Sequence, residues 1–203
     1  MICKCPRAAA LPDIPHFDCA ESFGQIQKVA FQRLYSTSGE RNTLADISKL
    51  ASWTPALAAE DDTKIVVSPY LQNPETEPGG PRTFGGGNET LGGVEEIIGS
   101  EPTAFTAVIR KAPQAVIKAI KQLGCEEIGV YIFDEHGAIG AIEEDGAYYP
   151  VPVRSFFVGD KAFGGFDTPD SNSVQWNFLP NYSDDLVMVW PEDFNPLNDL
   201  RVV

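Results

Sequence analysis

The sequence predicts a mainly β protein: a β-sandwich or barrel of two packed sheets with one flanking α-helix at about 113–123. Three observations lead there. Eight or nine short apolar runs, several alternating with period two, are separated by Gly, Pro, Asn and Asp clusters. Only Pro113 to Leu123 carries a strong helical stripe with fitting end signals. No tandem repeat is present. At 203 residues the chain fits one domain, with 1–22 as an N-terminal arm, 24–190 as the core and 191–203 as a tail.

The elements follow in order. Gly24 to Tyr35 alternates as a strand, with Val29, Phe31 and Tyr35 on one side and Ile26, Ala30 and Leu34 on the other. Ser36 to Gly39 stops it. Thr43 to Leu57 is helical in part, with Leu44, Ile47, Leu50 and Ala51 on one face, Thr43 capping and Pro55 stopping or kinking it. Lys64 to Ser68 is a β-branched strand ended by Pro69. Residues 72–93 are expected as a long exposed loop, because Pro78 to Gly93 holds seven glycines in 16 residues. Val94 to Ile98 and Thr103 to Ile109 are strands, the latter with Phe105, Ala107 and Ile109 together.

Pro113 sits at the start of the helix. Val116, Ile117, Ile120 and Leu123 form its stripe, with Lys118 and Lys121 opposite and Gly124 as a left-handed cap. After Cys125, expected to be a small buried residue, strand and turn alternate. Ile128 to Phe133, Ala138 to Ile142, Tyr148 to Val158, Asn172 to Leu179 and Leu186 to Trp190 are strands. Asp134 to Gly137 and Glu144 to Gly146 are turns, and Phe163 to Asp170 is a loop. Pro150 and Pro152 place their strand at an edge or a bulge. Val174, Trp176 and Phe178 share a face. Pro191 to Val203 reads as an acidic, loose tail.

The formal net charge is −14, from 29 acids against 15 bases. It is unevenly spread: Leu123 to Val203 holds 15 acids and 3 bases, which is −12 of the total. Such a chain lacks the basic face that neutralises phosphates. No apolar run approaches the ~20 residues of a membrane span, and the first residues lack the apolar stretch of a signal peptide.

No constellation for catalysis appears. His136 lies at a hairpin tip, and no G-x-S-x-G or Walker motif is present. Cys3, Cys5, His16 and Cys19 have zinc-ligand chemistry, but C-x-C-x10-H-x2-C matches no common zinc spacing. Asp160, Asp167, Asp170 and Asn172 have calcium chemistry without EF-hand spacing. No catalytic, cofactor or metal residue is assigned.

The ordered set GQIQKVAFQRLY, SWTPALAAEDDTKIVVSP, PGGPRTFGGGNETLGG, KQLGCEEIGVYIFDEHGAIGA, YYPVPVRSFFVGDKAFGGFDTPDSNSVQWNF and YSDDLVMVWPEDFNPLNDL resembles virion structural proteins of tailed phages of Bacteroides-type hosts. Within those it is similar to tail tube (major tail) subunits, over about residues 19–200. The resemblance implies a non-enzymatic protein of the virion tail, made in the host cytoplasm. Its subunits would form stacked, six-fold rings around a lumen that passes genomic DNA without binding it. Partners would be further copies of itself and other tail and neck or head proteins. It also implies that a long loop, here Pro78 to Gly93 and with it Thr43 to Ala59, makes inter-ring or inter-subunit contacts, and that the terminal arms reach neighbours. The Cys-rich arm departs from the family pattern. Two alternatives share the fold class: another virion component (capsid decoration, tail terminator or adaptor protein), or a β-sandwich glycan-binding module using Trp176, Trp190, Tyr148 and Tyr149.

Overall fold

In the computed structural model, which describes residues 14–16 and 22–200, twelve strands and two α-helices follow one another. The strands are β1 (Ile26–Arg33), β2 (Ile65–Val67), β3 (Gln72–Glu77), β4 (Pro81–Gly85), β5 (Glu95–Ser100) and β6 (Thr103–Arg110). Then come β7 (Ile128–Asp134), β8 (Ile139–Glu144), β9 (Ala147–Tyr149), β10 (Val151–Val158), β11 (Ser171–Phe178) and β12 (Leu186–Val189). The helices are α1 (Leu50–Ala58) and α2 (Gln114–Gln122).

Ten strands form one sheet that folds over on itself. β10 is the corner. Its first residues pair with β7 (Val151↔Val130, Pro152↔Gly129), and its later ones pair with β11 (Val158↔Val174). The register slips after Arg154, where Ser155 adopts φ +55°. Bulges of this kind bend a strand and let it change sheets. Pro150 divides the expected Tyr148–Val158 strand into β9 and β10. Gly129 is required opposite this corner: a Cβ there would lie 2.9 Å from the Pro150 Cβ and 2.8 Å from Leu34 Cδ2.

One layer is therefore β2-β1-β7 continued by β8, β9 and β12, and the other is β10-β11-β6-β3. Between them lies the main core. β1 gives Val29 and Phe31, β7 gives Ile128, Val130 and Ile132, β6 gives Phe105, Ala107 and Ile109, and β11 gives Val174, Trp176 and Phe178. Ile117 and Ile120 of α2 close this core at one end. The alternation expected for β6 and β11 is the alternation seen. Ile26 joins the same face as Val29, against the expected split, because the β1–β7 register shifts between Ile26 and Lys28.

β1 and β7 are buried on both sides. Their other faces, with Ala30, Tyr131 and Phe133, meet Trp53, Ala56 and Leu57 of α1 and also Leu44, Ile47 and Ile65. Trp53 donates its indole N–H to Ile47 O at 3.0 Å and packs edge-on to Tyr131. This second core explains why β7 reads as a continuous apolar run.

Several expectations change. The helix expected over 43–57 starts only at Leu50. Leu44 instead exchanges two backbone hydrogen bonds with Tyr148, and the Thr43 hydroxyl donates to Tyr148 O rather than capping a helix. Pro55 lies inside α1. Gly124 takes no left-handed conformation but continues α2 as a 3-10 turn over Leu123–Cys125, and Cys125 is exposed. The tail is not loose up to Leu200, the last described residue. Leu200 is buried and Phe194 and Leu197 pack on the second core. Asp193 supplies the carboxylate that accepts the first amide of α1, Leu50 N–H, at 2.9 Å. Half of the loop expected at 72–93 is strand, as described next.

Candidate interaction surface

β3 pairs with β6, so Gln72 to Glu77 belongs to the sandwich. The chain then leaves it. Glu101 N–H donates to Gly80 O at 2.9 Å, and β4 and β5 continue as a two-stranded hairpin that pairs with no other strand. A Cβ on Gly79 would lie 2.1 Å from Glu101 O, so the neck needs that glycine. At the tip, Gly85, Gly86, Gly87, Gly92 and Gly93 all have positive φ, which only glycine adopts cheaply. The Thr90 hydroxyl ties the tip, accepting from Gly86 N–H at 3.0 Å and donating to Val94 O at 2.5 Å.

No residue of this hairpin is buried. Phe84, Val94, Ile97 and Ile98 are exposed, and Leu91 is fully so at 102%. They are interleaved with Glu89, Glu95 and Glu96. An isolated two-stranded hairpin is marginal in water. A cluster of exposed apolar side chains on such an element marks a contact with another molecule. Sequence reasoning expected contacts from Pro78 to Gly93 but did not single out Ile97 and Ile98. Their signal was the run EEIIGS, in which neither face of the strand is purely polar.

The other candidates do not converge. Cys3, Cys5 and Cys19 lie outside the described residues, and His16 is exposed. Among the described residues no three His, Cys, Asp or Glu side chains form a metal-binding group. Asp160 pairs with Lys121, whose ammonium holds its carboxyl below the usual range. Asp170 accepts from Gly164 N–H at 2.9 Å and faces Lys161. Asn172 is buried and donates to Gly159 O at 3.0 Å. Asp160, Asp170 and Asn172 thus have protein partners, and Asp167 is exposed. Of the aromatics considered for glycans, Trp176 is core, stacked on Phe105 at 4.2 Å. Arg41 covers the Tyr149 ring at 4.0 Å, Tyr148 packs on the second core, and Trp190 is exposed.

A groove of about 490 Å³ is lined by residues that include Phe31, Arg33, Asp62, Lys64, Val66 and Glu126. Arg33 makes a two-pronged pair with Glu126 at 2.8 and 3.0 Å, which lowers the Glu126 pKa and raises that of Arg33. Asp62 accepts from the Thr37 hydroxyl and amide, which lowers its pKa. These carboxylates are satisfied as anions and brace the rim.

Two solved structures overlap part of the chain. One is a chain of the tail of an empty gene transfer agent particle, refined with helical C6 symmetry: 12% identity, 60% of this chain and 82% of that one, TM-score 0.33. The other is a chain of the virion of a native gene transfer agent particle: 12% identity, 62% of this chain and 88% of that one, TM-score 0.36. No protein-family model matches the chain, and no curated protein matches it. Overlaps this loose assign no role.

Proposed function

We propose that the chain is a virion structural protein, a tail tube subunit that assembles into stacked rings around a DNA conduit. The observation that carries this reading is the projecting β4–β5 hairpin. It exposes Phe84, Leu91, Val94, Ile97 and Ile98 on an element with no support from the sandwich. A monomer gains nothing from such an arm, whereas a subunit that buries it in a neighbour gains an interface. The resemblance of the sequence to tail tube subunits supplies the ring and the lumen, and six-fold symmetry is part of that expectation. The acid surplus after Leu123 suits a surface past which DNA slides, because fixed negative charge repels phosphates over about a Debye length, ~8 Å at physiological salt.

Negative-stain microscopy of the purified protein tests the reading. Rings or tubes about six subunits round are expected. A chain that stays monomeric at high concentration, with and without tail-tip nuclei, would overturn it. A single ring per particle, rather than many stacked rings, would favour a terminator or adaptor role.

A further inference from the structure

The hairpin and α2 adjoin opposite ends of the same strand, β6. β3 and β6 are antiparallel with Glu77↔Ala104, so the hairpin leaves from the Thr103 end of β6. α2 follows the Arg110 end. An eight-residue strand separates the two by about 26 Å. At that far end the 159–170 loop is tied at one end to α2 and at the other to the residue that follows β6. Lys121 pairs with Asp160, and Lys111 N–H donates to Asp170 O at 3.1 Å.

The loop is built rather than slack. Ala162 and Ser171 exchange two backbone hydrogen bonds across its neck, at 2.8 and 3.0 Å. Gly164 passes so close to Thr168 O that a Cβ would lie 1.7 Å from it. This frame holds Phe163 and Phe166 out into solvent, the latter fully exposed at 104%. The loop itself carries Asp160, Asp167 and Asp170 against Lys161, with Asp160 paired to Lys121 and Asp170 to Lys161, and the segment beside it outweighs them with positive charge. Thr103 to Cys125 contains four bases and no acid, and Arg110, Lys111 and Lys118 form no ion pair among the described residues. The hairpin has the opposite sign, with Glu89, Glu95, Glu96 and Glu101 against Arg82 between Pro81 and Glu101.

We infer that the face made by α2 and the Phe163–Phe166 loop is the docking site for the β4–β5 hairpin of a second copy of this chain. Both surfaces present exposed apolar side chains, their net charges are opposite in sign, and they lie at opposite ends of β6. The contact is therefore heterologous and repeats head to tail, which propagates a stack instead of closing a dimer. This inference rests on the self-assembly reading above and names the surface that reading leaves open.

Sedimentation velocity on four forms of the full chain tests it. Phe163→Ser/Phe166→Ser should weaken self-association about 30-fold, the scale for losing central aromatic anchors. Leu91→Ser/Ile97→Ser should do the same from the hairpin side. All four sites are exposed, so thermal melting should be unchanged. Mixing the two variants restores one intact contact between unlike chains, and association should return. Lys111→Glu/Lys118→Glu should also weaken assembly and, unlike the Phe pair, is free of any question of loop packing. If the hairpin variant fails to assemble while both face variants assemble as wild type, or if mixing restores nothing, this docking site is wrong and self-assembly stands. A wild-type chain that never associates overturns the assembly reading itself.

Discussion

Asp134 is fully buried, and its carboxylate takes three backbone N–H groups. Oδ1 accepts from His136 at 2.9 Å and Ala138 at 2.8 Å, and Oδ2 accepts from Gly24 at 3.1 Å. It thereby fixes the β7–β8 turn and the point where the chain enters β1. Asp134→Ala should cost about 3 kcal/mol in urea unfolding, since it leaves buried donors unpaired. Asp134→Asn should cost less, because one oxygen still serves the turn while the amide nitrogen turns a donor toward Gly24. Equal losses from the two variants would show that the Gly24 contact accounts for the whole effect and that the turn contacts of Oδ1 add nothing. The turn itself was legible in Asp134-Glu135-His136-Gly137, and Gly137 has a positive φ of +88°. The burial was not legible, because Gly24 arrives from 110 residues away. Asp193 escaped for the same reason: the helix it serves begins 143 residues earlier. Side-chain acceptors for distant backbone leave no local pattern.

At the scale of elements, period was readable where a strand has one buried face, as in β6 and β11. It misled where tertiary contact decides. Thr43 to Lys49 has a helical stripe, yet its backbone is claimed by Tyr148, so α1 starts late. In the 72–93 segment glycine density concealed strands: the glycines with positive φ crowd from Gly85 to Gly93, and the flanks pair as β4 and β5. Because the hairpin leaves the sandwich at Gly80 and Glu101, which are already hydrogen-bonded, residues 81–100 can be replaced by an Asn-Gly turn joining β3 to β6. The melting temperature should shift by no more than about 4 °C, since no buried residue is removed. Ring or tube formation should disappear. A large fall in melting temperature would mean that the hairpin supports the sandwich rather than a neighbour.

At the scale of the whole molecule, the two-sheet architecture and the helix that closes it could be read from composition and period, whereas the second core could not. Trp53, Ile65 and Leu200 meet there from three remote segments. The charge is also redistributed by folding. Glu126, Glu127, Glu144, Asp160 and Asp170 are drawn into pairs with Arg33, Arg154, Arg41, Lys121 and Lys161. Glu143, Asp145, Asp184 and Asp185 remain exposed and gather where β8 ends and β12 begins, with Glu143 N–H donating to Asp185 O at 3.3 Å. If the surplus serves DNA passage, this edge is where sign should matter. Glu143→Lys/Asp184→Lys/Asp185→Lys reverses three charges and moves the formal total from −14 to −8. Assembly should persist, because the edge lies outside both the hairpin and the α2 face. Tubes of the variant should retain duplex DNA at low salt and release it as salt rises, the signature of phosphate contacts, whereas wild-type tubes retain none. In particles carrying the variant, genome ejection should slow. Unchanged DNA retention together with unchanged ejection would remove this edge from the conduit and leave its acids the simpler task of keeping the subunit soluble before it assembles.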